Sequence, residues 1–287
     1  MNSKTKRKIQ KGGAVLWHYF VMLLISCFVL LPYYWMIVTA LKPTEEVMQS
    51  PATLLPSRIS LVNFTKVWSS IPLAAYMKNS MVVSLAATLI SVIFATLCGY
   101  SISRYFRRKA QRVSFVIMLA SQLIPGIVTM ISLYFIMFNL KLTNTYIGLI
   151  IAYVVWAVPF CTLMIKSYFD AAIPTAIEES ARIDGCSNFG IFWRVSLPIS
   201  IPGIISTGIF AFITAWNEYM WASIILSKDA LKPVSVGIYD FIGQYSANTK
   251  MAITMTAGII ITIPVIIIFA FLQKYLISGL SAGAVKG

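Results

Sequence analysis

Charge is scarce in this chain and negative charge scarcer: 11% of its 287 residues are charged, and nine are acids. There is one histidine, His18, so the sequence offers neither a His-based metal cluster nor the nucleophile–base pair an intramembrane enzyme would need. The four cysteines are Cys27, Cys98, Cys161 and Cys186. Three fall in apolar runs and the fourth in a polar hairpin, so no disulfide framework or metal-ligand spacing emerges. No G-x-x-x-x-G-K-[ST] phosphate loop occurs, which excludes ATP binding by that device. Short alternating segments are missing too, against a β-barrel. No internal repeat is visible, which weakens the case for a transporter of duplicated halves.

What the chain has in abundance is apolar length. Hydrophobic residues make up 59% of it, and the mean hydropathy is +0.82. A soluble domain could not hide so much apolar surface. A crossing needs about 20 mainly apolar residues, and six stretches qualify, near 14–41, 79–102, 113–138, 147–168, 199–226 and 251–277. In lipid the backbone must satisfy itself, so the expected class is an all-α membrane protein of six transmembrane helices. Pro125, Pro159 and Pro264 are expected to bend spans three, four and six.

The net charge of +14 invites a nucleic-acid partner, but its placement argues against one. Lys4, Lys6, Arg7, Lys8 and Lys11 precede span one; Arg104, Arg107, Arg108, Lys109 and Arg112 lie between spans two and three. Both clusters fall on one side if the spans alternate, which by the positive-inside rule places both termini in the cytoplasm. The basic start resembles a signal peptide, but the first apolar run is too long for one and is expected to remain as an anchor. The expected organisation is a basic cytoplasmic N-terminus at 1–13, a first helix at 14–41 and an external loop with short helices at 42–78. A core at 79–277 carries a cytoplasmic hairpin at about 170–198, and a cytoplasmic tail occupies 278–287.

The hairpin is the most polar stretch between spans. Pro174 suits a helix start, Glu178 and Glu179 fall where carboxylates meet the helix dipole favourably, and Gly185 suits a left-handed cap. Ser187 is placed to cap a second short helix carrying Phe189, Phe192 and Trp193, with Pro198 marking entry to span five. Small residues Ser180 and Ala181 permit close approach by a partner, and Glu178, Glu179 and Asp184 offer it carboxylates. The plainer alternative is a solvated loop with a Glu178–Arg182 pair worth about 0.2–0.5 kcal/mol.

Glu218 is the sole acid inside a predicted span. An ionised group there costs roughly 2.5–3.5 kcal/mol on insertion scales, so it should face protein or water. Asn217 and Glu218 could hydrogen-bond a polar solute, with Trp216, Tyr219 and Trp221 supplying ring faces. A structural node between helices explains Glu218 equally well. Gln122 in span three is a second polar candidate for the solute path, with helix bridging as its alternative.

Three features carry a family resemblance. Glu179, Ser180, Ala181 and Gly185, followed by Val195 and Leu197-Pro198, stand at the spacing of the cytoplasmic EAA loop of ABC importer permeases, with Ser180 in place of the first alanine. Ala215-Trp216-Asn217-Glu218-Tyr219 is similar to the Trp-Asn-Glu-aromatic stretch of sugar permeases. The ending Gly279 to Gly287 resembles the tail of the second permease of such pairs. The chain thus resembles the maltose-type carbohydrate permeases, membrane components of binding-protein-dependent ABC importers.

The resemblance implies a type I importer permease fold and a second homologous permease. It also implies two copies of a cytoplasmic ATPase and an extracytoplasmic solute-binding protein. It makes the region Glu179 to Gly185 the helix that couples to the ATPase, and brings Ala284, Val285, Lys286 and Gly287 toward that ATPase. The loop at about 227–250 would meet the binding protein. No cofactor is expected on this chain; ATP and magnesium belong to the partner ATPase. The cargo is expected to be a di- or oligosaccharide. An importer of another polar solute is the alternative, and a single-chain secondary transporter is disfavoured by the lack of paired intramembrane ionisable groups.

Overall fold

A computed structural model describes residues 3–47, 49, 51–244 and 247–284, with side chains for 15–47, 49, 51–242 and 251–275. Among the described residues every regular element is helical. In chain order they are α1 (Ser3–Leu41), α2 (Val62–Ser70), α3 (Leu73–Tyr105), α4 (Arg108–Leu123), α5 (Gly126–Asn139) and α6 (Tyr146–Ala172). Then follow α7 (Thr175–Ile183), α8 (Asn188–Asn217), α9 (Met220–Ile225), α10 (Val234–Gln244) and α11 (Ala247–Ala284).

Among the described residues five segments are long and apolar enough to cross a membrane: Val15–Leu41 in α1, α3, α6, α8 and Met251–Tyr275 in α11. A sixth candidate is divided: α4 and α5 together are long and apolar enough to cross but meet at a 91° bend, as in a broken span or a re-entrant loop. The continuous span expected at 113–138 is therefore two helices. Pro125 has no N–H to give to the α4 ladder, and its ring drives Ile124 to an extended conformation (φ −70°, ψ 124°). Helices run on through Pro32, Pro159, Pro202 and Pro264. Boundaries also move: α1 opens at Ser3 rather than at 14, α3 at Leu73 rather than at 79, and the fifth span runs Asn188–Asn217 rather than 199–226.

The chain forms two compact units. The first comprises Met1–Ile71 and Phe241–Ile260. Its α1 exposes Trp17, Phe20, Leu24 and Phe28, as a helix bathed in hydrocarbon would. Beyond Leu41 the chain closes into a polar knot. Lys42 is 2% exposed; its ammonium donates to the Thr53 carbonyl at 2.6 Å and lies 5.0 Å from the Trp35 ring centre. The Glu46 carboxylate accepts from the Ser57 hydroxyl (2.7 Å), the Ser57 amide (3.0 Å) and the Thr53 hydroxyl (2.8 Å). Those bonds, from Ser57 above all, hold its carboxyl below the usual glutamate range. Asn63 ties α2 to the knot by donating to the Ala40 and Lys42 carbonyls.

The second unit comprises Pro72–Asp240 and Ile261–Gly287. Its centre is the packing of α3, α6 and α8. On α3 a seam of small buried residues, Ala87, Ser91, Ala95 and Gly99, recurs every fourth position. Small side chains let backbones approach, where dispersion and polar contacts replace the hydrophobic drive that lipid does not supply. Gly99 marks the closest approach: a Cβ there would stand 3.1 Å from the Lys166 amide nitrogen and 3.3 Å from the Thr162 carbonyl. One apolar cluster, including Val83, Leu149, Tyr153, Trp221 and Ile225, lies toward the N-terminal end of α3. Another, including Tyr100, Phe169, Phe192 and Ala211, lies toward its C-terminal end.

Candidate functional site: an anchored hairpin and a broken span

The polar hairpin is α7 and the start of α8. Pro174 caps α7, and Gly185 takes φ +85° just past its end. The Ser187 hydroxyl accepts the Gly190 amide and starts α8. Before Pro198 the ladder widens to a π turn over Phe192–Ser196. Pro198 has no N–H to donate, so the preceding carbonyls must be served differently. The turn aims Phe192 into the core and Ser196 at α7.

Glu178 does not offer its carboxylate to a partner, which corrects the expectation that it would. It is 5% exposed. Arg104 Nε donates to Glu178 Oε2 at 2.8 Å, and the Ser196 hydroxyl donates to Oε1 at 2.6 Å. Arg182 turns instead to Asn188, at 3.3 Å. Arg104 also donates to the carbonyls of Phe169 (3.2 Å) and Ile173 (2.8 Å), which end α6, and to the Ser103 hydroxyl (2.8 Å). Ser103 in turn donates to Asp170, which Lys166 pairs at 2.6 Å. One guanidinium thus ties α7 to the ends of α3 and α6.

Glu179, Ser180, Asp184 and Gly185 are exposed, and Ala181 is half-buried. Beside them Phe189 and Trp193 stand out, 72% and 51% exposed, over a hollow that also includes Asp184 and Arg194. Two acids adjacent in sequence therefore point opposite ways: Glu178 anchors the helix and Glu179 faces outward. Sequence reasoning saw Arg104 only as one of a basic cluster and missed Ser196. The adjacency of two glutamates on a short helix was the available signal, since neighbours in a helix cannot share a face.

The structure places the four residues of the Trp216–Tyr219 stretch in different surroundings. Trp216 is buried and stacked on Phe212, Asn217 points outward, and the Tyr219 ring packs on Tyr239 at 4.8 Å. Glu218 sits at the break between α8 and α9. Its carboxylate accepts the Trp221 amide (2.8 Å), the Ala222 amide (3.1 Å) and the Tyr153 hydroxyl (2.9 Å). Its carbonyl accepts the Ser235 hydroxyl at 2.6 Å. Orphan N–H groups at the α9 start need such acceptors. These bonds are those of a structural node between helices.

Gln122 lies elsewhere. It lines a pocket of about 340 Å³ beneath the α4–α5 bend, with Ser121, Thr129, Ser132, Trp156 and Trp221. Its amide stands 3.5 Å from the Trp156 carbonyl. Among the described residues no group of three or more His, Cys, Asp or Glu could hold a metal ion. Of the expected tail contacts, Ala284 closes α11, and Val285, Lys286 and Gly287 lie outside the described residues.

Comparison with known proteins agrees with this architecture. Residues 87–282 match the model of the family described as binding-protein-dependent transport system inner membrane component. The chain is 31% identical to the probable ABC transporter permease protein YurM of Bacillus subtilis, over all of this chain and 93% of that one. It is 33% identical to the diacetylchitobiose uptake system permease protein DasC of Streptomyces coelicolor, over 89% and 91%. In structure it is similar to a chain of a bacterial ABC transporter that imports the acidic polysaccharide alginate. There the TM-score is 0.77 at 23% identity, over 96% of this chain and 99% of that one. With its spans, its hairpin and this match over most of its length, the chain belongs to the binding-protein-dependent transport system inner membrane components, the permease subunits of ABC transporters.

Proposed function

We propose that this permease forms half of the translocation path of a sugar importer, and that α7 is where ATP-driven motion enters it. The observation that carries the reading is the division of labour between Glu178 and Glu179. Glu178 is held by Arg104 and Ser196, so a push on α7 reaches the ends of α3 and α6 without slack. Glu179, Ser180 and Ala181 lie on the accessible side, where a carboxylate and small residues suit the groove of a cytoplasmic ATPase. That ATPase, in two copies, carries the ATP and magnesium. The acid-free basic clusters, Lys4 to Lys11 in the first turns of α1 and Arg104 to Arg112 at the junction of α3 and α4, support a cytoplasmic side for the hairpin and both termini. The tail, Ala284 to Gly287, reaches toward the same ATPase.

The remaining partners are a second homologous permease and an extracytoplasmic solute-binding protein. A di- or oligosaccharide is the cargo, supported by the diacetylchitobiose relative and by the sugar-permease resemblance of the sequence. The test is mass spectrometry of what co-purifies in mild detergent from cells expressing the chain. Recovery of a second permease and an ATPase is expected. Recovery of the chain alone, under conditions that keep other ABC complexes whole, would overturn the reading.

A further inference from the structure

The pocket under the broken span is not explained by coupling. The geometry points to a binding site for one uncharged sugar unit there, so that this subunit itself holds cargo in transit; the inference rests on the sugar-importer reading above. The first argument is water. At the end of α4, Ile124 makes no capping bond and Pro125 has no N–H, so the last carbonyls of that helix lack helical partners. Within a membrane, irregular backbone is tolerated only inside protein or along a water-filled cavity. Discontinuous helices in transporters mark solute sites for that reason.

The side chains agree. Between Val113 and Phe138, Ser121, Gln122, Thr129 and Ser132 line the pocket, and only Ser114 and Tyr134 among the polar residues do not. The Ser121 and Thr129 hydroxyls donate to the Met118 and Gly126 carbonyls, which leaves their lone pairs to accept sugar O–H groups. The Ser132 hydroxyl has no partner among the described residues. Opposite them stand the Trp156 and Trp221 rings, with centroids 6.3 Å apart and planes at 51°. An indole face is apolar and slightly negative, complementary to the C–H face of a pyranose. The volume falls at the small end of ligand pockets, about 300–1,000 Å³.

No Lys, Arg, Asp or Glu lines the pocket. A uronate or sulfonated sugar would bring a charge into a site with no counter-ion, at high desolvation cost. The site therefore selects neutral sugars, whatever else the binding protein admits.

The test uses the assembled transporter in proteoliposomes with ATP and its binding protein. Uptake is measured for maltose, cellobiose, diacetylchitobiose and digalacturonate. In parallel, Ser132→Cys in a cysteine-free chain is exposed to a charged methanethiosulfonate, with Ile131→Cys, which does not line the pocket, as control. Labelling of Ser132→Cys alone, and slower labelling in the presence of the transported sugar, are expected. Ser132→Leu, which fills the pocket, should lower uptake kcat/KM about tenfold or more with assembly and basal ATP hydrolysis unchanged. Gln122→Glu, which adds a charge without changing shape, should do the same. Failure of Ser132→Cys to label, or normal uptake by Ser132→Leu, overturns the site. Labelling of Ser132→Cys by a transporter that moves none of the sugars leaves a wet pocket and overturns the sugar reading. Uptake of digalacturonate alone overturns the selection for neutral cargo.

Discussion

Replacing Arg104 with alanine should loosen the hairpin more than any substitution on the hairpin's own surface. The Arg104 and Glu178 side chains are 9% and 7% exposed, and their atoms meet at 2.8 Å. Removing one member of a buried ion pair typically costs about 3–5 kcal/mol, because the other is left charged and unpaired. Arg104 also serves the Phe169 and Ile173 carbonyls, so the upper part of that range applies. For a domain of this size the loss corresponds to a fall of about 10 °C in the apparent midpoint of thermal unfolding. Glu178→Gln keeps one acceptor oxygen, for Arg104, and turns an N–H to the Ser196 hydroxyl, which can accept it, but removes the charge. Hydrogen bonds to charged groups exceed neutral ones by about 1–2 kcal/mol, so a smaller fall is expected. The assay is thermal unfolding in detergent paired with hydrogen exchange along α7. Exchange should rise in α7 and at the ends of α3 and α6 in Arg104→Ala, and scarcely change in Glu179→Gln. An Arg104→Ala protein with the wild-type midpoint and unaltered α7 protection would refute the anchor.

Other consequences can be checked on the same preparations. Glu218→Gln should cost about 1–3 kcal/mol, because one of two buried amides loses its acceptor, while the KM of uptake stays as in wild type. Gly203→Ala places a Cβ 2.3 Å from Tyr168 Cγ; the overpacking should destabilise by about 1–3 kcal/mol and be relieved by Tyr168→Leu. Glu46 has its carboxyl lowered in the folded state, so its stabilising contribution is full above the ordinary glutamate value of about 4.3. That contribution declines below this value and is gone once the pH passes below the folded pKa. The unfolding midpoint of Glu46→Gln should accordingly fall less steeply with acid than that of wild type.

Hydropathy located the spans because lipid imposes one requirement on every residue of a crossing, and the sequence meets it in runs of the right length. It could not resolve span three, where Ile124-Pro125 interrupts hydrogen bonding without interrupting apolarity. Cap chemistry at Pro174, Gly185 and Ser187 was legible because those signals act within a turn of the backbone. The partners of Glu178 were not legible. Arg104 stands 74 positions away, and a basic residue after a span has an adequate explanation in membrane topology alone. Glu218 was legible only in part, for a related reason. A carboxylate in an apolar run signals that something must satisfy it, and two amides and a tyrosine do so as well as a sugar could. The pocket was visible only in part, through Gln122. Its aromatic wall joins Trp156 of α6 to Trp221 of α9, which only the fold brings together.

The central claim is that α7 presents Glu179 to an ATPase while Glu178 fastens the helix to the spans. The most direct measurement is the affinity of the purified permease pair for the ATPase, determined for wild type, Glu179→Arg and Glu178→Gln, with the thermal midpoint of each. The account predicts that Glu179→Arg weakens binding at least tenfold, about 1.4 kcal/mol, at an unchanged midpoint. It predicts that Glu178→Gln lowers the midpoint. Wild-type affinity in Glu179→Arg, or a lowered midpoint in that variant and not in Glu178→Gln, would contradict it.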